Sequence, residues 1–336
     1  MKKISLIIVS VLVMACNSQQ EQTFTSANFE LVKLADGVFA CIHKLGGKAI
    51  CNVGIIDNGT ETIIYDTFLS PEVAEEIHEV VHLYGLSPIR YVVNSHAHND
   101  HIRGNQVFPA DVDIISTKRT AELIRETEPE GIGAEKNYAP SLFARWDSLY
   151  NAYEGDTSSR EYLNIQMWRP YYEVLAESHL KVETRLPNLF VAEQMNLDGP
   201  KRKARLIARG AGHTESDMIL YLPDDQIVFT SDLVFNQMHP YMGQSNPDEW
   251  IDYLNYMETL DLTTVIPGHG TVCGREGIST IKTYIRTVDQ LVQQMIEDNV
   301  PLEQIAEIPI PEAYKNWWFE DFFISNLRFM YNRQTG

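Results

Sequence analysis

Four side chains able to bind a metal fall within six residues, His96-Ala97-His98-Asn99-Asp100-His101, directly after the apolar run Tyr91-Val92-Val93. His96 and His98 alternate, so an extended turn aims both imidazoles at one position, while Asp100 and His101 point toward a second. A structural zinc site closes four ligands around the ion, commonly cysteines, whereas a catalytic site keeps a position open for water. Three of the chain's 10 histidines lie in this stretch. It reads as the ligand loop of a metal-dependent hydrolase, the alternative being a polar loop with chance histidines.

Further candidates lie downstream. His213 stands in Gly210-Ala211-Gly212-His213-Thr214, after an alternating segment from Ala204 to Ala208. Asp232 follows Ile227-Val228-Phe229, and His269 follows Val265-Ile266 in Pro267-Gly268-His269-Gly270. Each is expected where a buried strand ends in a small-residue turn, the edge at which α/β sheets bind ligands. Taken singly, His213 could be a core histidine, Asp232 a helix N-cap and His269 a turn residue.

Taken together and in order, these motifs resemble those of the metallo-β-lactamase-fold hydrolases. The family's first signature is matched by an apolar strand ending at Asp66, Ile63-Ile64-Tyr65-Asp66-Thr67. The resemblance runs from about Asn28 to Cys273 and implies a four-layer αβ/βα sandwich, here with a helical insertion and C-terminal helices. It implies that His96, His98 and His213 hold a first metal, that Asp100, His101 and His269 hold a second, and that Asp232 bridges them. Asp66 is expected to brace the ligand loop. Within the family, the run from Ser231 through His239-Pro240-Tyr241 to Gly270 looks most like the exported quinoprotein-relay and sulfur-oxidation-type zinc metallohydrolases. Glyoxalase II and the true metallo-β-lactamases are more distant. Leu233 to Gln237 lacks the Gly-Cys-Gly-Arg-type run of glyoxalase II, and no Lys or Arg occurs from Leu233 to Gly268 to hold a drug's carboxylate.

Two zinc ions held in this way would sit about 3.5–4 Å apart and lower the pKa of a shared water from about 15.7 to about 7. The resulting hydroxide would attack the carbonyl of an ester, lactone, thioester or amide. Asp100 and Asp232 could also orient the nucleophile or carry a proton. Five histidines and two aspartates favour zinc, with iron or manganese as the alternatives. His239 and Tyr241, on a loop expected to leave the metal edge, are candidates for substrate or oxyanion contacts or for a structural loop. The competing functions are β-lactam hydrolysis, an iron dioxygenase acting on a persulfide, and a metal-binding lipoprotein without turnover.

The 336 residues carry a formal net charge of −19. Such a surface repels a phosphate backbone, so a nucleic-acid partner is excluded and a small-molecule substrate expected. Lys2-Lys3 precede an apolar stretch from Ile4 to Met14, too short to span a bilayer, as in a secretion signal. Val13-Met14-Ala15-Cys16 resembles a bacterial lipobox, which implies an exported lipoprotein facing the periplasm or cell surface, anchored only through acylated Cys16. Residues 1–15 then form the signal peptide, 16–27 a polar tether and 28–336 the hydrolase domain. Cys41 and Cys51 flank Gly46-Gly47, and a hairpin there could bring them opposite each other as a disulfide.

The elements that must position these residues follow from pattern and punctuation. Strands are expected at Val38–Ile42, Ala49–Asp57, Glu61–Asp66 and Ile89–Val93, and a helix at Pro71–Leu83 with Ser70 as N-cap. Another helix is expected at Thr117–Glu126. From Pro129 to Pro187 strand signals fade and aromatic residues crowd a helical insertion, either a packing appendage or a lid in which Trp146 and Tyr150 contact substrate. Strands return at Leu189–Leu197, Ala204–Ala208, Met218–Leu222 and Gln226–Thr230. Helices follow at Asp248–Leu260, Arg275–Asn299 and Tyr314–Tyr331.

Overall fold

The computed structural model describes residues 23–336. The expected signal sequence, Cys16 and most of the expected tether lie outside the described residues. Alternating apolar residues build a first sheet of seven strands, hydrogen-bonded in chain order: β1 (Phe29–Ala35), β2 (Val38–His43), β3 (Val53–Asp57), β4 (Thr62–Tyr65), β5 (Ile89–Val93), β6 (Asp113–Thr117) and β7 (Leu189–Val191). A second sheet has five: β8 (Gln194–Asn196), β9 (Arg205–Ala208), β10 (Met218–Leu222), β11 (Ile227–Phe235) and β12 (Thr264–His269). The helices are α1 (Pro71–Leu83), α2 (Asn99–Ile102), α3 (Lys118–Ala152), α4 (Arg160–Lys181), α5 (Pro247–Met257), α6 (Glu276–Glu297) and α7 (Glu320–Thr335).

Successive residues of a strand face opposite sides, and neighbouring isoleucines and valines show how the layers assemble. Ile56, Ile63, Val93 and Ile115 face the second sheet's Leu206, Leu220, Phe229 and Ile266. Ile55, Ile64, Val92 and Ile114 turn the other way and pack on Val73, Ile77 and Val80 of α1. On the far side, Ile207, Ile219 and Val228 pack on Trp250 of α5 and on Ile278, Ile281 and Ile285 of α6. The result is the expected helix–sheet–sheet–helix sandwich.

Several elements differ from expectation. Leu189–Leu197 is two short strands, β7 in the first sheet and β8 in the second, so the chain passes between sheets there. Helix α3 runs through Pro129 and Pro140 and pairs along its length with α4. The terminal helix begins at Glu320 rather than Tyr314. Ser70 precedes α1 but its hydroxyl donates to Glu72 rather than capping the backbone. Cys41 is in register with Val53, not Cys51, and both cysteines are free thiols, so the disulfide does not form.

Candidate metal centre

Asp66 follows β4 with a left-handed backbone, φ 62°. Its fully buried carboxylate accepts hydrogen bonds from Ser95 N (2.9 Å), Ser95 Oγ (2.9 Å), Ser231 Oγ (2.8 Å) and His101 Nδ1 (2.9 Å). Asp66 thereby joins the end of β4 to the loop after β5 and, through Ser231, to β11 of the other sheet. It also sets the tautomer of His101: with the proton on Nδ1, the lone pair is on Nε2.

Three further histidines are oriented in the same manner, whereas His213 Nδ1 is buried without a hydrogen-bond partner. His96 Nδ1 donates to Ser95 Oγ (2.9 Å), His98 Nε2 to Gln244 Oε1 (2.7 Å) and His269 Nδ1 to the Ile50 carbonyl (3.1 Å). Each bond leaves the opposite ring nitrogen free to ligate, the outer support that metal-binding histidines ordinarily have.

The free nitrogens converge in two groups around Asp232. In the first, His98 Nδ1 lies 3.1 Å from His213 Nε2, while Asp232 Oδ2 lies 3.3 Å from His213 Nε2 and 3.9 Å from His96 Nε2. In the second, Asp232 Oδ1 lies 3.2 Å from His101 Nε2 and 3.4 Å from His269 Nε2. Asp100 Oδ2 completes that group, 3.5 Å from His101 Nε2 and 3.3 Å from His269 Nε2. Asp232 therefore presents one oxygen to each group. It lies within β11 rather than in a turn after it, at a kink where Ser231 takes φ 47° and the pairing with β12 shifts. Gly268 permits this approach, since a β-carbon there would collide with Asp232 Oδ1.

These residues fit divalent cations. His96 Nε2, His101 Nε2 and Asp232 Oδ1 are buried without hydrogen-bond partners, an arrangement that costs about 1–3 kcal/mol per group when nothing compensates it. His101 Nδ1 is engaged by Asp66, so Nε2 is the ring edge turned to Asp232 Oδ1; burial works to lower this imidazole, but Cys51, Asp100, Asp232 and Asp66 raise it well above its ordinary value. The carboxylates of the second group thus draw positive charge onto the site, carried by protons on the imidazoles or by a metal ion that replaces them. Burial pushes His213 down to about 3, and burial together with His101 and His98 holds His96 well below its ordinary value. Both are therefore neutral, the ligating form. Burial also works to lower His269, but Asp232 and Asp100 overcome it and raise the imidazole to about 9. The second group thus concentrates negative charge, which suits a positive ion.

The centre opens on a cleft of about 860 Å³. His98, Asp100, Asp232 and His269 line it, with Phe235, Tyr241, Trp168, Tyr171, Tyr172, Phe319 and Phe322 among its walls. A buried Arg103 ties the ligand loop to the helical insertion: Nε meets Glu128 at 2.6 Å and Nη2 meets Glu135 at 2.8 Å, both on α3. Ser178 of α4 donates to the same Glu135 (2.6 Å).

Of the two candidates for substrate contact after β11, Tyr241 lines the cleft, its ring 6.0 Å from that of His98. His239 does not. It is fully buried, with Nδ1 at 3.0 Å from Tyr284 Oη and its ring among Trp317 and Phe323. The C-terminal segment covers it, so its place is structural. Trp146 and Tyr150 are likewise absent from the cleft; the insertion contributes Trp168, Tyr171 and Tyr172 instead. Cys51, expected from sequence only as a disulfide partner and not in the site, donates from Sγ to the Asp100 carbonyl (2.8 Å) and stands beside Asp100 and His101. The expected strand from Ala49 would have included it, whereas β3 begins at Val53 and Cys51 lies in the irregular segment before it.

Residues 46–269 match the Metallo-beta-lactamase superfamily. The Alkyl/aryl-sulfatase BDS1 of Saccharomyces cerevisiae is 24% identical over 214 residues, 62% of this chain and 31% of its own. A double mutant of the sec-alkyl sulfatase PisA1 has the same fold with a TM-score of 0.61 at 17% identity, covering 92% of this chain and 50% of that one. A metallo-beta-lactamase from Pontibacter korlensis gives 0.53 at 16% identity, covering 77% of this chain and 99% of the lactamase. The chain thus spans about a third of the yeast relative and half of the solved sulfatase. Since the family match extends over more than half of the sequence and ends on His269 itself, the chain belongs to the metallo-beta-lactamase superfamily.

Proposed function

We propose that this protein is a hydrolase holding two divalent metal ions, zinc by preference. His96, His98 and His213 take the first, Asp100, His101 and His269 the second, and Asp232 bridges them. The observation that carries this reading is the division of Asp232, with Oδ2 facing one histidine group and Oδ1 the other. When bound, such ions polarise the oxygen of an ester-type bond and acidify water.

The chain's own residues account for the rest. Burial opposes charge on Asp100 and Asp232, but the facing imidazoles of His101 and His269 keep both well below the usual carboxylate range. Both therefore stay ionised, and either can orient a water by accepting its hydrogen bond. Tyr241 places a phenol at the cleft wall beside His98, within range of a substrate oxygen. The aromatic walls exclude bulk water and bury the remainder of the substrate.

The target bond is an ester, lactone, thioester or amide carbonyl. A sulfate ester is the second reading, favoured by the solved sulfatase whose likeness extends over 92% of this chain. A lactam is disfavoured because, among the described residues lining the cleft, Lys44 is the one Lys or Arg and its Nζ is turned to the Ser26 carbonyl. An iron dioxygenase needs only a three-ligand face, which leaves the second group without purpose.

Elemental analysis after zinc-replete expression, with a panel of esters, lactones, thioesters, sulfate esters and lactams, tests the reading. Close to two zinc per chain is expected, with turnover abolished by chelation. One metal or fewer would overturn the binuclear site, and full loading without turnover on any class would favour a binding lipoprotein. From sequence alone we also propose acylation at Cys16; Cys16→Ser should release the protein from membranes or leave its precursor uncleaved.

A further inference from the structure

Phe319 has a backbone conformation that a bulky side chain rarely adopts, φ 61° and ψ 49°. An aromatic residue there is an outlier, and such strain persists only where the surroundings over-determine it. They do so here. Trp318 N donates to Gln237 O (3.0 Å) and His239 N to Trp318 O (2.9 Å), pinning the preceding residue to the loop after β11. On the other side, Phe322 N donates to Phe319 O (2.9 Å). The consequence is the placement of one ring: Phe319 lines the cleft with its centroid 6.4 Å from that of His269 and 5.6 Å from that of Trp168 on α4.

Charge in the same cleft is one-sided. Among the described residues lining it, Lys44 is the one ammonium or guanidinium, and its Nζ is held by the Ser26 carbonyl at 2.7 Å. Glu128, Glu135 and Glu215 also line it. Beyond the metal groups, therefore, the described lining is net acidic: one ammonium stands against three carboxylates, of which Glu128 and Glu135 share Arg103.

We infer that the cleft selects substrates whose body beyond the scissile group is planar, apolar and without negative charge, and that Phe319, facing Trp168, is the residue that enforces the choice. The inference rests on the hydrolytic reading above for the identity of the scissile end. Strain is then the means by which the ring is held next to the metal groups, where packing alone could have left it elsewhere.

The test compares 2-naphthoate with 2,6-naphthalenedicarboxylate by calorimetry on the zinc-loaded full chain. Both offer one carboxylate to the metals, and only the second carries a distal charge. The dicarboxylate should bind at least about tenfold more weakly, since a charge desolvated without a partner is penalised. Phe319→Gly should cost the mononaphthoate about tenfold by removing ring contact, with acetate affinity unchanged and Tm not lowered, because glycine accepts the left-handed backbone. Phe319→Asn, which also tolerates it, guards against a folding failure. Equal binding of the two naphthoates would overturn the inference. So would unchanged naphthoate affinity in both variants, the result if Phe319 served packing alone. Turnover of the ester, lactone, thioester, sulfate-ester and lactam panel is followed in parallel; its absence on every class with discrimination intact would remove the hydrolase reading and leave the inference standing.

Discussion

Asp66 and His101 meet at 2.9 Å in a fully buried pair, and the proton between them decides which nitrogen of His101 faces Asp232. Asp66 touches no cation position itself, yet it fixes a ligand's tautomer and holds Ser95 and Ser231 from two sheets. Asp66→Ala should lower metal affinity by about 10–100-fold, the usual loss when an outer partner of a ligating histidine is removed. Competition with a chromogenic chelator would measure it. Unchanged affinity would mean that His101 is oriented by Ser231 alone.

Asp232→Ala removes the carboxylate shared by both groups. Metal content should fall from two toward one and turnover should drop sharply, while the circular dichroism spectrum is retained, because the strand around it is held by β10 and β12. Full loading and full activity in this variant would reduce Asp232 to a strand residue.

Asp217 is not among the proposed ligands, although it accepts a backbone hydrogen bond from His213, and it titrates in an accessible range. Burial raises its carboxyl to about 7 against the hydrogen bonds it accepts from Thr214. A carboxyl raised in this way takes up a proton on folding, so the stability it contributes is present at low pH and is lost as pH climbs from about 4 to about 7. Asp217→Asn should flatten the decline in Tm over that window and raise Tm at pH 8. Parallel melting curves for the two proteins would assign the decline to other groups.

Trp168→Ala should alter KM or substrate ranking with metal content unchanged, since Trp168 lines the cleft. Trp146→Ala, on the same insertion but off the lining, should leave the ranking intact. Equal effects of the two, expressed only in Tm, would make the insertion a packing element.

Much of this was legible in the sequence because it depends on local rules. Pro71–Leu83 and Ile89–Val93 lie where Ser-Pro punctuation and apolar periodicity put them, and all seven candidate ligands converge. What was missed depends on tertiary context. Pro129 and Pro140 signal breaks, yet α3 continues through both because α4 packs along it. Leu189–Leu197 alternates like one strand, and nothing local marks the passage between sheets. His239 follows the same loop as Tyr241, and only the C-terminal segment, more than 70 residues later, decides that one ring is buried and the other faces the cleft. Phe319 could not be placed from sequence, since its position rests on a backbone conformation foreign to its residue type.

Each of the two ligand groups draws on both halves of the sandwich. His96, His98, Asp100 and His101 follow β5 of the first sheet; His213, Asp232 and His269 belong to the second. A cation bound there is a clasp between halves, and its coordination is at once chemistry and tertiary structure. Ions that bind only the assembled form stabilise it by mass action, about 2.7 kcal/mol at a hundredfold excess over Kd. Starvation for metal would then weaken the protein before it merely silenced it, and the population at risk of proteolysis would track the free metal concentration of its surroundings.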